Sequence, residues 1–411
     1  MVRESKNYEE FLELLKVNNI SQNAYLSYEY YSIFCKYYPP QKGFICFFVY
    51  EDNNLIGLLP LVKRKLDYVI LGYRFSNYLG YICDENSLEK VDNEISEYVK
   101  KYHKNMIINF YDINDEGSTY QILDMDLLSR KLFLYNCPCC DVSRNFDEVF
   151  KQQITKSKKR TELRKFDRKL NELGNIKILN IDTEESWEEG KKYFNQIFKV
   201  HAERFADIYI PNELCLHENP EYFTELFENL VKNEKAYISI MLLDDFVISF
   251  VYCVVSNGVI MDWMPAFDPA FSRYNLGTVH LMHILEYTCS SEKYHLFDFS
   301  KGDDTYKDRW ASGETKNFMF VRRFNNNFLA IVKQKSVFAV FAFKSFLREK
   351  GILKKIKSLL GSYINVGKRE SKDSTPMLVQ KYIEKFKYSE IHDFNPYHKK
   401  EILDEKYRSL Q

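Results

Sequence analysis

The sequence has no excess of charge of either sign, because its 411 residues include 58 lysines and arginines and 58 aspartates and glutamates. Bulk charge therefore indicates neither nucleic-acid binding nor an acidic partner. No run of about 18 apolar residues is present, so no membrane-spanning helix is predicted. Residues 1–16 form a charged amphipathic pattern rather than a signal peptide. A cytoplasmic protein is expected.

The sequence also lacks the spacing of a metal site. Its nine cysteines are scattered, and their one cluster is Cys137-Pro-Cys-Cys140. A zinc site would need a second pair of cysteines or histidines at ligand spacing, and none follows. Thiols and no metal site are therefore predicted. With 45% hydrophobic and 28% charged residues the composition is that of a globular protein, and the length predicts two or three domains.

What is present in the second half is a meander of three β-rich apolar runs, at 236–243, 246–255 and 259–264. Asp244-Asp245 separates the first two runs, and Ser256-Asn257-Gly258, a strong hairpin signal, separates the last two. A helix is then predicted over Leu276–Cys289 and a strand over Tyr294–Ser300.

The first half follows a similar order, with β-rich runs, a helical pattern and a further strand. The ranges are 43–50, 55–64 and 78–83 for the runs, 87–103 for the helix and 106–112 for the strand. The repeated order predicts two copies of one α/β module, although residue identity between them is negligible.

One charged residue interrupts the apolar strand predicted at the end of the second module. Asp298 lies in its middle, and an unpaired buried carboxylate is costly. Asp298 is therefore expected either to be hydrogen-bonded by its own loop or to act on a substrate.

The chain resembles the Fem-like branch of the GNAT N-acyltransferases, which includes proteins found with polysaccharide biosynthesis. The matching residues are Gly277, which opens a helix, Phe297-Asp298-Phe299, Gly302, Tyr306-Lys307, Trp310 and a basic helix that starts at 155–160. The resemblance covers residues 1–330 and is strongest over 150–325. It implies an α/β fold with mixed sheets, in which tandem GNAT-like domains at 1–150 and 151–327 precede a helical extension at 328–411.

The resemblance further implies acyl-CoA as co-substrate and no tightly bound cofactor. Ordinary GNAT enzymes hold phosphates in a Gly-rich loop before a helix, whereas Arg273–Thr278 here contains one glycine. An acyl-carrier protein is the alternative donor, and the basic residues within 151–169 would form the surface that contacts it. The expected donor contacts are Arg273, Tyr274, Asn275, Gly277 and Thr278.

Acyl transfer to an amine needs a polarised thioester carbonyl and a base that neutralises the amine. Asp262 and Asp298 lie on neighbouring predicted strands, so a carboxylate pair with one raised pKa is expected. Asp298 is preferred for orienting or deprotonating the amine. The other candidates are Tyr306, Lys307 and His201 for catalysis, and Trp263, Arg204 and Trp310 for substrate binding.

Residues 328–364 alternate apolar runs with basic residues and contain one acid, Glu349. A basic amphipathic helix of this kind either lies on an anionic membrane surface or packs on protein, and packing is the preferred interpretation. Residues 365–411 form a polar extension. A homodimer also stays open.

Three functional hypotheses follow. The preferred one is transfer of an acyl group from acyl-CoA to the amine of a nucleotide-linked amino sugar, for surface polysaccharide synthesis. The second is an aminoacyl-tRNA-dependent Fem-type peptidoglycan transferase, against which the lack of a long heptad helix pair in 175–240 counts. The third is an inactive acyltransferase-like scaffold at the membrane surface.

Overall fold

The computed structural model describes residues 1–350 except 19, 21–22, 41, 74, 206–215, 217–218 and 302–304. Gly302 and the extension at 351–411 therefore lie outside the described residues. Within the described part, one mixed sheet contains thirteen strands. They are β1 (Val2–Ser5), β2 (Phe44–Glu51), β3 (Asn54–Lys63), β4 (Tyr68–Ile70), β5 (Ile82–Cys83), β6 (Ile107–Asn114), β7 (Ser129–Asp141), β8 (Ile176–Ile181), β9 (Ala236–Leu243), β10 (Phe246–Ser256), β11 (Val259–Phe267), β12 (Leu296–Asp298) and β13 (Gly313–Arg323).

Helices cover the sheet, and none of those in the described ranges is long and apolar enough to cross a membrane. A 3₁₀ helix at Pro269–Tyr274 precedes the tenth α-helix. The α-helices are α1 (Tyr8–Asn18), α2 (Tyr28–Tyr37), α3 (Leu88–Tyr102), α4 (Ser118–Met125), α5 (Phe146–Gln153), α6 (Ser157–Asn171), α7 (Glu184–Gly190), α8 (Phe194–Phe205), α9 (Pro220–Lys232), α10 (Leu276–Ser290), α11 (Thr305–Trp310) and α12 (Phe328–Glu349).

The hairpins form where the sequence supplies residues that accept a positive φ. Asp244 and Asp245 join β9 to β10 with φ of 47° and 65°, and Asn257 and Gly258 join β10 to β11 with φ of 50° and 75°. Two successive positive φ angles match the right-handed twist of the paired strands. The β2–β3 hairpin in the first half turns in the same way at 52–53.

The strand pairing confirms the predicted repeat, but the third strand of the first half is β4 and not the predicted run at 78–83, which contains the short strand β5 beside β3. In the first half, β2, β3 and β4 are antiparallel neighbours, and β4 is parallel to β6 after α3. In the second half, β9, β10 and β11 are antiparallel neighbours, and β11 is parallel to β12 after α10. The fold is therefore a tandem GNAT-like arrangement of mixed α/β modules, as predicted.

The two modules exchange strands at the middle of the sheet. The order is β1-β2-β3-β4-β6-β13-β7-β12-β11-β10-β9-β8, with β5 paired to β3. Strand β7 follows the first module in sequence but pairs with β12 of the second, while β13 ends the second module and pairs with β6 of the first. Residues Met1–Phe338 form one compact unit. The predicted domain boundaries at 150 and 327 stay predictions.

Candidate active site

The strands β11 and β12 diverge after three residue pairs. Val259–Met261 pairs with Leu296–Asp298, but β11 continues to Phe267 alongside β10. The chain after Asp298 instead follows β7, since the Phe299 N–H donates to the Pro138 carbonyl at 3.0 Å. Two parallel strands that separate in this way open a cleft at their carboxyl ends, beside the second half of β11.

A β-bulge lies on the β11 side of this cleft. Cys253 pairs with Asp262 and Tyr252 with Met264, so Trp263 is the extra residue. The Trp263 ring is half-buried and packs edge-on against Tyr25, with 5.7 Å between centroids. Trp263, a predicted substrate contact, thus lies at the bulge of β11 beside the cleft, and Tyr25 of the first half covers part of its ring.

The start of α10 lies at the far end of β11. Its first helical hydrogen bonds are donated by the N–H groups of Thr278 and Val279 to the Asn275 carbonyl, at 3.0 and 3.1 Å. Asn275 has a φ of 52° and ends the preceding 3₁₀ helix. The N–H groups of the first turn point out of a helix start and attract anions. The predicted loop-to-helix geometry of Asn275, Gly277 and Thr278 is thus present.

Phe267 connects Gly277 to Arg204. A Cβ placed on Gly277 would lie 3.3 Å from the Phe267 ring, so a larger side chain there must displace this ring. On the other side, the Arg204 guanidinium lies 5.1 Å from the Phe267 centroid. Arg204, at the end of α8, is therefore a cation close to the start of α10, and its role in substrate binding stays a prediction.

The predicted basic helix is α6, and it packs on α10. His283 of α10 lies 2.8 Å from the Asp167 carboxylate of α6, and this interaction raises the pKa of His283 against the opposing effect of burial. The outer face of α6 exposes Lys158, Lys159, Arg164, Lys165 and Arg168. A basic surface thus adjoins the helix whose N-terminus faces the cleft.

Asp298 is buried at the other end of the cleft, in contact with the first module. Its Oδ2 accepts a hydrogen bond of 2.5 Å from the Tyr78 hydroxyl, which also lies 3.5 Å from the Cys137 sulfur. Its Oδ1 accepts a bond of 2.7 Å from the Ser300 N–H. The expectation that its own loop hydrogen-bonds Asp298 is confirmed, and a tyrosine of the other module reaches the carboxylate as well. Action of Asp298 on a substrate stays a prediction.

Burial raises the pKa of Asp298 from its ordinary value to about 6. The hydrogen bonds from Tyr78 and Ser300 oppose this increase, the charge of Asp112 adds to it, and Lys307 opposes it. Asp112 lies on β6, the strand that corresponds to β12 in the first module, and accepts hydrogen bonds from Tyr135 and from Asn317, the latter at 2.5 Å. The equivalent strands of the two modules thus bring two buried carboxylates towards each other.

The expected pair of Asp262 and Asp298 is not formed. Met261 is level with Asp298 in the parallel ladder, and successive side chains of a strand point to opposite faces. The side chain of Asp262 therefore lies on the opposite face of the sheet from that of Asp298, beside Cys253. Burial raises the pKa of the Cys253 thiol, and the charge of Asp262 raises it further. The raised pKa of Asp298 has burial as its main cause, with Asp112 as the neighbouring carboxylate.

The structure corrects two other predictions, those for Lys307 and Trp310, and leaves the one for Tyr306 open. Lys307 donates to the carbonyl oxygens of Phe299 and Lys301 at 2.6 and 2.9 Å, so its ammonium holds the loop after β12 instead of facing a substrate. Trp310 is fully buried and stacks on Phe150 with 5.7 Å between centroids, which leaves no surface for a substrate. Tyr306 packs, partly buried, on the same apolar cluster.

The remaining candidates divide by exposure. His201 is buried and packs on the Phe205 ring at 4.6 Å, one turn from Arg204. Tyr274 is also buried, at 2% exposure, so its side chain belongs to the core. Arg273 is exposed, with its guanidinium 5.4 Å from the Tyr274 centroid, and stays a candidate for phosphate contact.

Sequence reasoning missed the residues of the first module that surround Asp298. Tyr78 has a φ of 56° and Asp112 a φ of 66°, a region that such residues enter rarely. The signal that existed was the position of Asp112 at the end of a predicted strand equivalent to that of Asp298. No group of three or more histidine, cysteine or acidic side chains that could hold a metal ion is found in the described residues.

Comparison with known proteins agrees with this geometry. Residues 157–308 match the model of the acetyltransferase (GNAT) domain. FemX has a TM-score of 0.51 at 12% identity, over 80% of this chain and 100% of its own. The C-terminal domain of a protein described as a lysylphosphatidylglycerol synthetase from Agrobacterium fabrum has a TM-score of 0.51 at 11% identity, over 80% and 97%.

At these identities the two structures show a shared fold and nothing finer. No curated protein matches the chain by sequence. The family model covers the bulged strand, the cleft, the start of α10 and Asp298. Residues 157–308 are thus similar to a GNAT acetyltransferase domain, which supports placing this part of the chain in the GNAT superfamily.

Proposed function

We propose that the protein transfers an acyl group from acyl-CoA to the amine of a sugar, in the preferred case a nucleotide-linked amino sugar used in surface polysaccharide synthesis. The observation that carries the proposal is the divergence of β11 from β12 in a segment that matches the GNAT domain. The cleft has an anion-attracting helix start at one end and a buried carboxylate at the other.

The length of the cleft fits a thioester donor. Phe267, beside the start of α10, follows Met261 by six residues, which corresponds to roughly 20 Å of extended strand. An extended phosphopantetheine arm spans a distance of this order. A donor whose phosphates meet α10 and Arg204 would thus present its thioester near Asp298.

Asp298 is proposed to accept the proton of the attacking amine. A carboxyl group with a pKa of about 6 is mostly ionised at neutral pH and is a stronger base than an ordinary aspartate. The amine attacks the thioester carbonyl, the C–S bond breaks, and the thiolate of the donor leaves. Residues Tyr78 and Ser300 hold the carboxylate in position through their hydrogen bonds.

The experiment is a calorimetric titration with CoA and acetyl-CoA of the unchanged protein and of Gly277→Trp and Asp298→Asn variants. Micromolar binding is expected, lost in Gly277→Trp because the indole displaces Phe267 and fills the helix start. Asp298→Asn is expected to keep donor binding and to lose about 10²- to 10⁴-fold in turnover with an amine acceptor.

The matched control is Gly117→Trp. Gly117 precedes α4 in the first module, so this variant places the same side chain at another helix start. Equal loss of binding in both tryptophan variants, or no binding by protein that melts cooperatively, would contradict the proposal.

A second candidate, transfer from an aminoacyl-tRNA, is favoured by two observations. The fold matches the whole of FemX, and the exposed basic face of α6 adjoins α10. A protein that ignores CoA but transfers an amino acid from charged tRNA, with a rate that falls steeply with salt, would support this candidate. Failure to bind either donor would favour the inactive scaffold.

A further inference from the structure

Helix α12 is apolar on two opposite faces. This segment is expected either to lie on a membrane or to pack on protein, and one face of α12 packs on protein. Ala330, Gln334 and Val337 are buried at 0%, 1% and 5% exposure. Their spacing of three and four residues places them on one side of the helix.

Hydrogen bonds fix the start of α12 on the sheet. The Gln334 amide donates to the carbonyls of Leu128 and Val321 at 2.6 and 2.7 Å. The Asn327 side chain caps the helix by accepting from the Ala330 N–H at 2.9 Å. The first turns of α12 therefore have a defined orientation, and so does their outer face.

That outer face carries large apolar side chains. Phe328 is 83% exposed, Leu329 47% and Val332 40%. With 3.6 residues per turn, the exposed apolar residues of the whole helix fall within an arc of about 120°. We call them the outer stripe: Phe328, Leu329, Val332, Val340, Phe343 and Phe346.

Basic residues border the outer stripe. Lys335 lies at one edge and Lys344 at the other, both exposed, and Lys350 follows at the end of the helix. The sequence of α12 contains a single acid, Glu349. An apolar stripe between lysines is the pattern of a helix whose apolar face enters a bilayer while the ammonium groups reach the lipid head groups.

We propose that α12 is a membrane-surface helix that inserts the outer stripe into the interface of an anionic lipid bilayer. Charge complementarity selects this occupant. A second copy packed on the same stripe would bring the lysine edges of two identical helices together, whereas anionic head groups neutralise them. The proposal goes beyond acyl transfer and does not depend on it.

The test is co-sedimentation of the full chain with vesicles of phosphatidylcholine alone and of phosphatidylcholine with phosphatidylglycerol. Binding to the anionic vesicles is expected, weakening with salt. Val332→Glu is expected to weaken it by about tenfold or more, because it removes apolar contact and adds a repelled charge. Val17→Glu is the matched control, since Val17 is 80% exposed on α1, and it should bind as the unchanged protein does.

Three outcomes would overturn the proposal. The first is no binding, or equal binding to neutral and anionic vesicles. The second is a dimer in solution that Val332→Glu dissociates, which would make the stripe an interface between copies. The third is protection of residues 351–411 from protease that Val332→Glu abolishes, which would make those residues the cover. Melting curves of both variants establish that they are folded.

Discussion

At the scale of single residues, Asp298 depends on both modules. Its backbone belongs to β12, its loop supplies the Ser300 N–H, and the first module supplies the Tyr78 hydroxyl and the charge of Asp112. Burial raises the pKa of Asp298 to about 6 in the folded state. Between about pH 4 and pH 6 the carboxyl group is therefore protonated in the folded state but ionised in the unfolded state. Over this window Asp298 makes the free energy of unfolding decrease as pH rises.

Asp298→Asn is expected to remove this decrease. Asparagine does not titrate. The melting temperature of the variant minus that of the unchanged protein should therefore increase as pH rises from 4 to 6 and become constant above pH 6. Thermal unfolding followed by circular dichroism at several pH values measures it. Parallel curves for the two proteins would show that the carboxyl group has an ordinary pKa.

Tyr78→Phe is expected to raise the pKa of Asp298 further. The tyrosine hydroxyl stabilises the ionised carboxylate, and phenylalanine keeps the ring but not the donor. The acid limb of the pH–rate profile should therefore move to higher pH while the donor affinity is unchanged. An unmoved limb with a uniformly lower rate would assign Tyr78 to packing alone.

At the scale of elements, a buried ion-pair network joins α3, the end of α4 and β13. The Arg322 guanidinium bonds Asp92 with two nitrogens, one at 3.1 Å, and its Nε lies 2.7 Å from Asp126. All three side chains are largely buried. Removing one member of such a network leaves a buried charge without its partner.

Arg322→Ala is therefore expected to lower the free energy of unfolding by about 3–5 kcal/mol. Arg3→Ala is the control, since the exposed pair of Arg3 and Glu10 at 2.5 Å should contribute less than about 1 kcal/mol. Urea unfolding measures both. Similar losses in the two variants would mean that water reaches the Arg322 network.

The sequence predicts the elements whose signals are local. Asn257-Gly258 and Asp244-Asp245 mark hairpins where the structure has them, and the helix predicted over 276–289 is observed as Leu276–Ser290. The spacing of apolar residues over 184–204 predicts one continuous helix, but the structure interrupts it after Gly190 with a 3₁₀ turn. Gly190 approaches Ile181 so closely that a Cβ would lie 2.1 Å from its methyl group, a tertiary contact that periodicity does not encode.

The candidate site is predictable only in part for the same reason. Gly277, Asn275 and Asp298 stand out because each breaks a local pattern. Tyr78 does not, because it reaches Asp298 across 220 residues. Trp310 and Lys307 lie in a segment whose sequence is typical of a polar loop, but the structure places both on α11. The Trp310 ring packs in the core, and the Lys307 ammonium donates to backbone carbonyls.

At the scale of the whole molecule, the exchange of β7 and β13 makes each module incomplete without the other. Residues 1–150 alone would keep β7 but lose its partners β12 and β13, leaving the edge of β6 uncovered. We expect the fragments 1–150 and 151–411 to be insoluble when expressed separately and to form a soluble complex when co-expressed. A fragment 1–150 that is monomeric and melts cooperatively would contradict this.

The same exchange determines when the strands can pair during synthesis on the ribosome. Asn114 of β6 hydrogen-bonds Asn317 of β13, 203 residues later. The edge of β6 must therefore wait, with its backbone groups unpaired, until nearly the whole sheet has been translated. Premature termination before residue 313 would release a chain with an open strand edge, a substrate for chaperones and proteases and not a shortened enzyme.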